Sequence, residues 1–540
     1  MDTIFHNGNL VTLDPAHPHA QAAAVKNGVI LRLGSDTEIL PLATPETALV
    51  DLGGRLTLPG FCDSHLHLLS FGYSLEKINL DSCASREELV SAARTFAEAH
   101  PHLKWIQGRG WNNERWQSTA FPTRHDLDRA CPDRPMTLTR TCGHIIVANS
   151  RALEVMAVTG DTPQVPGGHI DMDASGQPLG IFRESARDFI YNAIPPLTEL
   201  DIRRMVTNGG REAQKYGITS VQSDDFEAVT PAEDTALLAA FRGLAAEGAL
   251  PVRVYQQCLV PPVGRLERFM ARGNVTGAGD SFFKIGPLKL LCDGTLGART
   301  AAMSKPYADD ATTRGIAVYT QDELDALVAA AHKVGMTVAL HTIGDRCIDM
   351  GLDAIERAQM ANPRPDMRHS LIHCQITRPD QLKRLKDLGV GVHFQPIFID
   401  GDMHIAEKRV GGARVKSCYN WRTLVDSGVP YACGSDCPVE PFDVMKGIYC
   451  AVTGMDLSGQ PAGGWMPEQR LTVAQAVHGY TLGAARMAYE EGIKGSLAPG
   501  KLADMAVLEE NIFTMVPEKI KDVKVGMTIL NGNVVYRREG

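Results

Sequence analysis

Several absences narrow what this 540-residue chain can be. It has no run of about 18 unbroken apolar residues, so no membrane-spanning helix is expected. Residues 1–14 lack a basic stretch followed by an apolar one, so no secretory signal is expected and the cytoplasm is the expected location. Twelve cysteines are scattered without a C-x-x-C pair, which argues against a zinc ribbon or a thioredoxin-type motif. They read as reduced, buried, small apolar residues. Basic residues are not in surplus. The chain carries 54 Lys and Arg against 63 Asp and Glu, a net charge of −9, and its pI is near 6.0. A general nucleic-acid binder would need a basic face. No long block of one charge suggests an interaction tail.

What is present is the composition of a globular protein, 44% hydrophobic and 22% charged, at a length too great for one compact domain. Both ends look β-rich. Asn7-Gly8, Asn27-Gly28 and Asn531-Gly532 mark turns between short apolar runs. Residues 1–57 and 485–540 are expected to form one composite β-sandwich. The middle alternates apolar strands with amphipathic helices, the pattern of a parallel sheet. Candidate strands fall at 58–63, 218–222, 252–255, 286–290, 337–341, 370–373, 390–394 and 431–435, which is the number that closes a (β/α)8 TIM barrel. The expected class is therefore α/β, with the barrel over 58–75 and 205–484. Two further strand-like runs, 104–108 and 135–139, fall in the long gap after the first strand. Residues 76–204 are read as an inserted lobe over the barrel mouth. In the alternative, those two runs are barrel strands and the 218 or 252 segment is not.

Chemistry concentrates at strand ends, where TIM barrels carry their active sites. Gly60-Phe61-Cys62-Asp63-Ser64-His65-Leu66-His67 is an apolar strand ending in His-x-His. Alternation along a strand puts His65 and His67 on one side, where two imidazoles can share a divalent metal. His341 ends another strand, His373 the next, and Asp436 follows the last. Metal-ligand residue types thus recur at strand ends, His341 and His373 about one βαβ step apart and His373 and Asp436 about two, with the 390–394 run between.

These residues resemble the amidohydrolase superfamily, and within it the amidohydrolase family 3 branch that includes N-substituted formamide deformylases. The resemblance runs along nearly the whole chain. It rests on the Leu58–His67 motif, Gly108-Arg109-Gly110-Trp111, Gly143-His144 with Asn149-Ser150, Lys289 with Asp293-Gly294-Thr295-Leu296-Gly297, His341-Thr342-Ile343-Gly344-Asp345, Gly434-Ser435-Asp436, and Gly495-Ser496-Leu497 with Gly500-Lys501-Leu502-Ala503-Asp504. It implies that His65, His67 and Asp436 bind a more buried Zn2+, and that His341 and His373 bind a second ion. Other divalent metals are also compatible. It further implies that Lys289 is the strand-four lysine that relatives often carboxylate to bridge two metals.

The implied reaction is hydrolysis of a C–N bond in a small molecule, most simply an amide. A bound Zn2+ acidifies water, and Asp436 takes the proton and returns it to the leaving nitrogen. Trp111, His144, Asp293 and Arg299 are candidate substrate contacts, with Arg140 close to His144 in sequence. Cys62, Cys292, Cys374 and Cys437 neighbour site positions but read as packing residues. His332, His393, His404 and His478 read as ordinary histidines. An aminohydrolase is a competing reading, and against it stands the departure at Thr342-Ile343-Gly344-Asp345, where such relatives place a Glu shortly after the strand-five histidine. A non-hydrolytic lyase on the same site is compatible with these residues, and so is a catalytically silent binding protein. The expected partner is a small-molecule substrate, with no nucleic acid and no membrane; a homodimer is compatible with the sequence.

Overall fold

A computed structural model describes residues 1–539. The chain divides into two compact units, one made of Met1–Phe71 with the chain from Ile202 onward, the other of Gly72–Asp201.

The first unit is built on an eight-stranded parallel sheet. Its strands are β1 (Phe61–Leu66), β2 (Ile218–Asp224), β3 (Arg253–Cys258), β4 (Phe283–Leu291), β5 (Val338–Thr342), β6 (Ser370–His373), β7 (Gly391–Phe394) and β8 (Tyr431–Cys433). Every adjacent pair from β1 to β8 runs parallel. Each of the eight expected runs overlaps one of these strands, so the fold is the (β/α)8 barrel. Between β8 and β1 the ring is joined beyond the end of the ladder. There the Asp436 amide donates to the His65 carbonyl at 2.8 Å, and the His67 amide to the Cys437 carbonyl at 2.8 Å. Asp63 clamps the same seam, its carboxylate accepting from the Ser435 hydroxyl at 2.6 Å and the Ser435 amide at 3.1 Å. Gly434 is required at this crossing, because a Cβ there would lie 2.7 Å from the His65 amide nitrogen and 2.8 Å from Asp63 Oδ1.

Amphipathic helices return the chain between strands. Gln321–Lys333 starts from a capping box in which Thr320 accepts from the Glu323 amide and Glu323 reaches back, satisfying amides that the helix itself leaves unpaired. The helix before β7, Pro379–Leu388, ends on left-handed Gly389, φ 65°, the conformation glycine adopts without strain.

Both chain ends meet in the same unit. A six-stranded sheet places the C-terminal strands Met505–Leu508, Val525–Leu530 and Asn533–Arg537 beside N-terminal strands Leu56–Pro59, Asn9–Val11 and His19–Ala20. A four-stranded sheet is built from Thr3–His6, Ala22–Lys26, Val29–Gly34 and Ala48–Asp51. One buried cluster joins Phe5, Leu10, Val25 and Ile30 to Met505, Val507, Met527 and Ile529. A buried ion pair ties this region to the barrel, with Arg253 of β3 contacting both oxygens of Asp504 at 2.7 and 3.0 Å.

The second unit holds a six-stranded mixed sheet that includes Ile106–Trp111 and Met136–Arg140. The two strand-like runs of the gap therefore belong to the lobe. Asn149 is structural there. Its Oδ1 accepts from the Met136 and Ala152 amides at 2.9 Å each, and its Nδ2 donates to the Cys131 and Arg134 carbonyls. No helix among the described residues is long and apolar enough to cross a membrane.

The Arg253–Asp504 pair yields a stability prediction. Arg253→Ala leaves a buried carboxylate without its cation and should cost about 3–5 kcal/mol, whereas Arg253→Met with Asp504→Leu should cost far less. Equilibrium denaturation of both variants checks this; equal losses would refute it.

Candidate metal centre

The residues expected at strand ends do converge. His65 and His67 stand at the end of β1, His341 in β5, His373 closing β6, and Asp436 just past β8. The ligand atoms of His65, His67 and Asp436 all lie within 4.8 Å of one another. Asp436 Oδ1 sits 3.1 Å from His67 Nε2 and 3.3 Å from His65 Nε2. Ring centroids are 5.7 Å apart for His65 and His373, and 4.5 Å for His341 and His373.

The Nδ1 atoms explain the convergence. His65 Nδ1 meets Gln257 Oε1 at 2.8 Å, and His67 Nδ1 meets the Asp224 carbonyl at 2.8 Å. His341 Nδ1 meets Asp293 Oδ1 at 3.0 Å, and His373 Nδ1 meets Gln395 Oε1 at 2.7 Å. Each partner is an acceptor, so each ring donates through Nδ1, which leaves Nε2 as the nitrogen that can face a metal. That is the tautomer and the outer hydrogen bond that metal-binding histidines use. Four such rings with one carboxylate form a donor set of nitrogens and oxygen that fits Zn2+. The backbone is strained at two of these positions. His373 has φ 74° and Asp436 φ 62°, a left-handed conformation that persists only where surroundings impose it.

Electrostatics agree with a cation site. Burial, with the nearby Lys289 charge, pushes His65 down to about 3. His373 is held well below its usual range by burial and by His341. His67 behaves oppositely: burial lowers it, but the Asp436 carboxylate outweighs burial and carries it up to about 9. Burial would raise Asp436, yet His65 and His67 hold it well below the ordinary carboxylate range. Without metal, therefore, one proton sits between His67 and Asp436.

Lys289 is buried in β4, its Nζ 3.5 Å from His65 Nε2 and 3.6 Å from Asp224 Oδ2. The four expected substrate contacts already have protein partners or lie buried. Asp293 is wholly engaged, its carboxylate accepting from His341 Nδ1 and from the Ile343, Gly344 and Ala302 amides; it positions His341 and has no oxygen left for a substrate. Arg299 is turned into a two-pronged pair with Asp309 at 3.0 and 2.9 Å, as a loop salt bridge. Trp111 is fully buried in the lobe core, donating to the Leu138 carbonyl at 3.0 Å. His144 is exposed and hydrogen-bonded to Glu184 at 2.9 Å. Arg140 bonds the side chains of Asn112 and Asn113.

Cys62, Cys292, Cys374 and Cys437 are buried and free. His332 is paired with His369, and His404 with Asp456. His393 differs from the ordinary reading: it is buried, its Nδ1 has no partner, and burial with nearby His65 lowers it to about 3. Asp345 is used by Ser304 and Arg378 at the start of the helix Asp345–Ala361 and takes no part in the centre. Sequence reading missed Gln257, Gln395 and Asp224.

Comparison with known proteins agrees with this geometry. The family model Amidohydro_3, described as an amidohydrolase family, matches residues 48–536. The Bacillus subtilis protein YtcJ, whose name assigns it provisionally to the amidohydrolases, is 32% identical over the full length of both chains. The N-substituted formamide deformylase of Arthrobacter pascens is 26% identical, covering 100% of this chain and 99% of its own. The crystal structure of an uncharacterized metal-dependent hydrolase from Pyrococcus furiosus superposes with TM-score 0.77 at 29% identity, covering 95% of this chain and 100% of that one.

The His67 proton gives a direct prediction. Only neutral imidazole binds metal. With His67 at about 9 in the metal-free protein, ion uptake at acid pH must displace that proton, and affinity must climb as pH rises toward 9. Calorimetry at pH 6 in buffers of different ionisation enthalpy should report about one proton released per ion. His67→Ala should release none and bind far more weakly. Uptake by the wild type without proton release would contradict the assignment.

Proposed function

This chain belongs to the amidohydrolase family and is a metal-dependent hydrolase; we propose that the bond it cleaves is a C–N bond of amide type in a small molecule, with Zn2+ as the metal. The observation that carries the reading is the cluster of His65 and His67 Nε2 around Asp436 Oδ1, with His373 and His341 next to it. A Zn2+ ion held by these residues supplies Lewis acidity toward a carbonyl and acidifies water. The formamide deformylase relative, which by name acts on a C–N bond, supports the choice of bond.

The chain's own residues then have distinct tasks. His65 and His67, braced by Gln257 and by the Asp224 carbonyl, hold their rings rigid. His341 and His373, braced by Asp293 and Gln395, present two more nitrogens at the same mouth and suit a second ion. Carboxylation of Lys289 would add a bridging arm between the two positions. Asp436 handles the proton. Its Oδ1 is committed to the two imidazoles, which leaves Oδ2 to take a proton from the attacking water and hand it to the departing nitrogen. We place the activity in the cytoplasm.

Asp436→Asn isolates the proton task from metal binding. The amide oxygen can still coordinate, so bound metal should be largely retained while kcat falls about 10²–10⁴-fold. Metal content and turnover, measured together on a panel of amides, esters and amino-heterocycles, check both halves. Near wild-type kcat with metal bound would transfer the proton task elsewhere; hydrolysis confined to amino-heterocycles would replace the amide reading.

A further inference from the structure

We propose that Asp224 is a positioning residue for Lys289, and that the two side chains act as one unit in setting the metal affinity of the centre; the proposal rests on the metal-hydrolase reading above. Asp224 is the last residue of β2, and its side chain is fully buried. Neither carboxylate oxygen accepts a hydrogen bond. The neighbouring Asp225 shows what satisfaction looks like, its Oδ1 accepting from the Leu69 amide and the Ser223 hydroxyl at 2.8 Å each. A buried carboxylate without donors is tolerated only beside a cation or a metal.

Among the described residues, Lys289 is the one Lys or Arg at ion-pair distance from Asp224, with Nζ 3.6 Å from Oδ2. Lys289 is itself 1% exposed and stands 3.5 Å from His65 Nε2, the atom that must face the metal. The lysine therefore has two directions available. Toward His65 it competes with the ion; toward Asp224 it clears the ligand. An ammonium in this place needs Asp224 as its counter-charge. A carbamate at the same nitrogen keeps one N–H, and Asp224 is the acceptor on that side. Both states of Lys289 thus depend on the same carboxylate. Asp224 is doubly tied in, since its main-chain carbonyl also holds His67 Nδ1, a contact that side-chain substitution leaves in place.

The test is a double-mutant cycle read by Zn2+ affinity, with chelator competition on the full-length protein. Asp224→Asn keeps the volume and removes the charge; Lys289→Met removes the amine. Asp224→Asn alone should weaken Zn2+ binding about tenfold or more. In the Lys289→Met background the same change should alter affinity by less than about twofold. Equal weakening in both backgrounds would show that Asp224 acts through His67 and overturn the proposal, as would wild-type affinity in Asp224→Asn. Should Asp224→Asn alone be too unstable to purify, recovery of fold and binding in the double variant supports the pairing, and failure of that recovery refutes it. A wild-type protein that binds no Zn2+ would remove the zinc reading of the centre, and this role with it.

Discussion

The centre depends on four short hydrogen bonds at the outer nitrogens of four imidazoles. A free imidazole can present either nitrogen and rotate about two bonds. Here Gln257, the Asp224 carbonyl, Asp293 and Gln395 each remove that freedom. Because the acceptors sit on other strands or loops than the rings they hold, each ring is fixed by two parts of the barrel at once. Such bracing sets ring orientation and ligand basicity together.

The barrel makes this arrangement possible because all eight strands end on the same side. β1 brings His65 and, just past its end, His67, β2 Asp224, β3 Gln257, β4 Lys289, β5 His341 and β6 His373; Gln395 follows β7 directly, and Asp436 lies three residues past β8. The seam between β8 and β1 is where the ring would be weakest, and it is where Asp63 and Ser435 bind most closely. Those contacts offset part of the cost of burying Asp63: burial pushes it up to about 7, against the pull of the Ser435 hydroxyl. The same seam carries the backbone bond that delivers Asp436 to His65. Closure of the fold and placement of Asp436 are thus one structural event.

Most of this was legible in the residues. The eight barrel strands follow from apolar runs, and the five ligand candidates from the His and Asp found at their ends, whereas Lys289 came from the family resemblance. Other features were hidden for physical reasons. Asp293 and Arg299 lie one loop beyond β4, where substrate contacts are common, but tertiary contacts with His341 and Asp309 claim their polar atoms. Trp111 sits in a glycine-rich motif, yet its strand faces the lobe core. Gln257 and Gln395 escaped notice because a glutamine carries no metal-ligand signal; its function depends on a histidine on another strand. Asn149-Ser150 proved to be a helix cap welded to neighbouring carbonyls, so a family hallmark can mark architecture as well as chemistry.

The central claim is that Nε2 of His65 and His67, with Asp436, holds a divalent ion. Anomalous diffraction at the zinc edge, from crystals grown with Zn2+, tests it most directly. The account predicts a peak about 2.0–2.2 Å from both Nε2 atoms and from an Asp436 oxygen, with all four Nδ1 hydrogen bonds intact. A peak coordinated through Nδ1, or one lying away from these three residues, would contradict it.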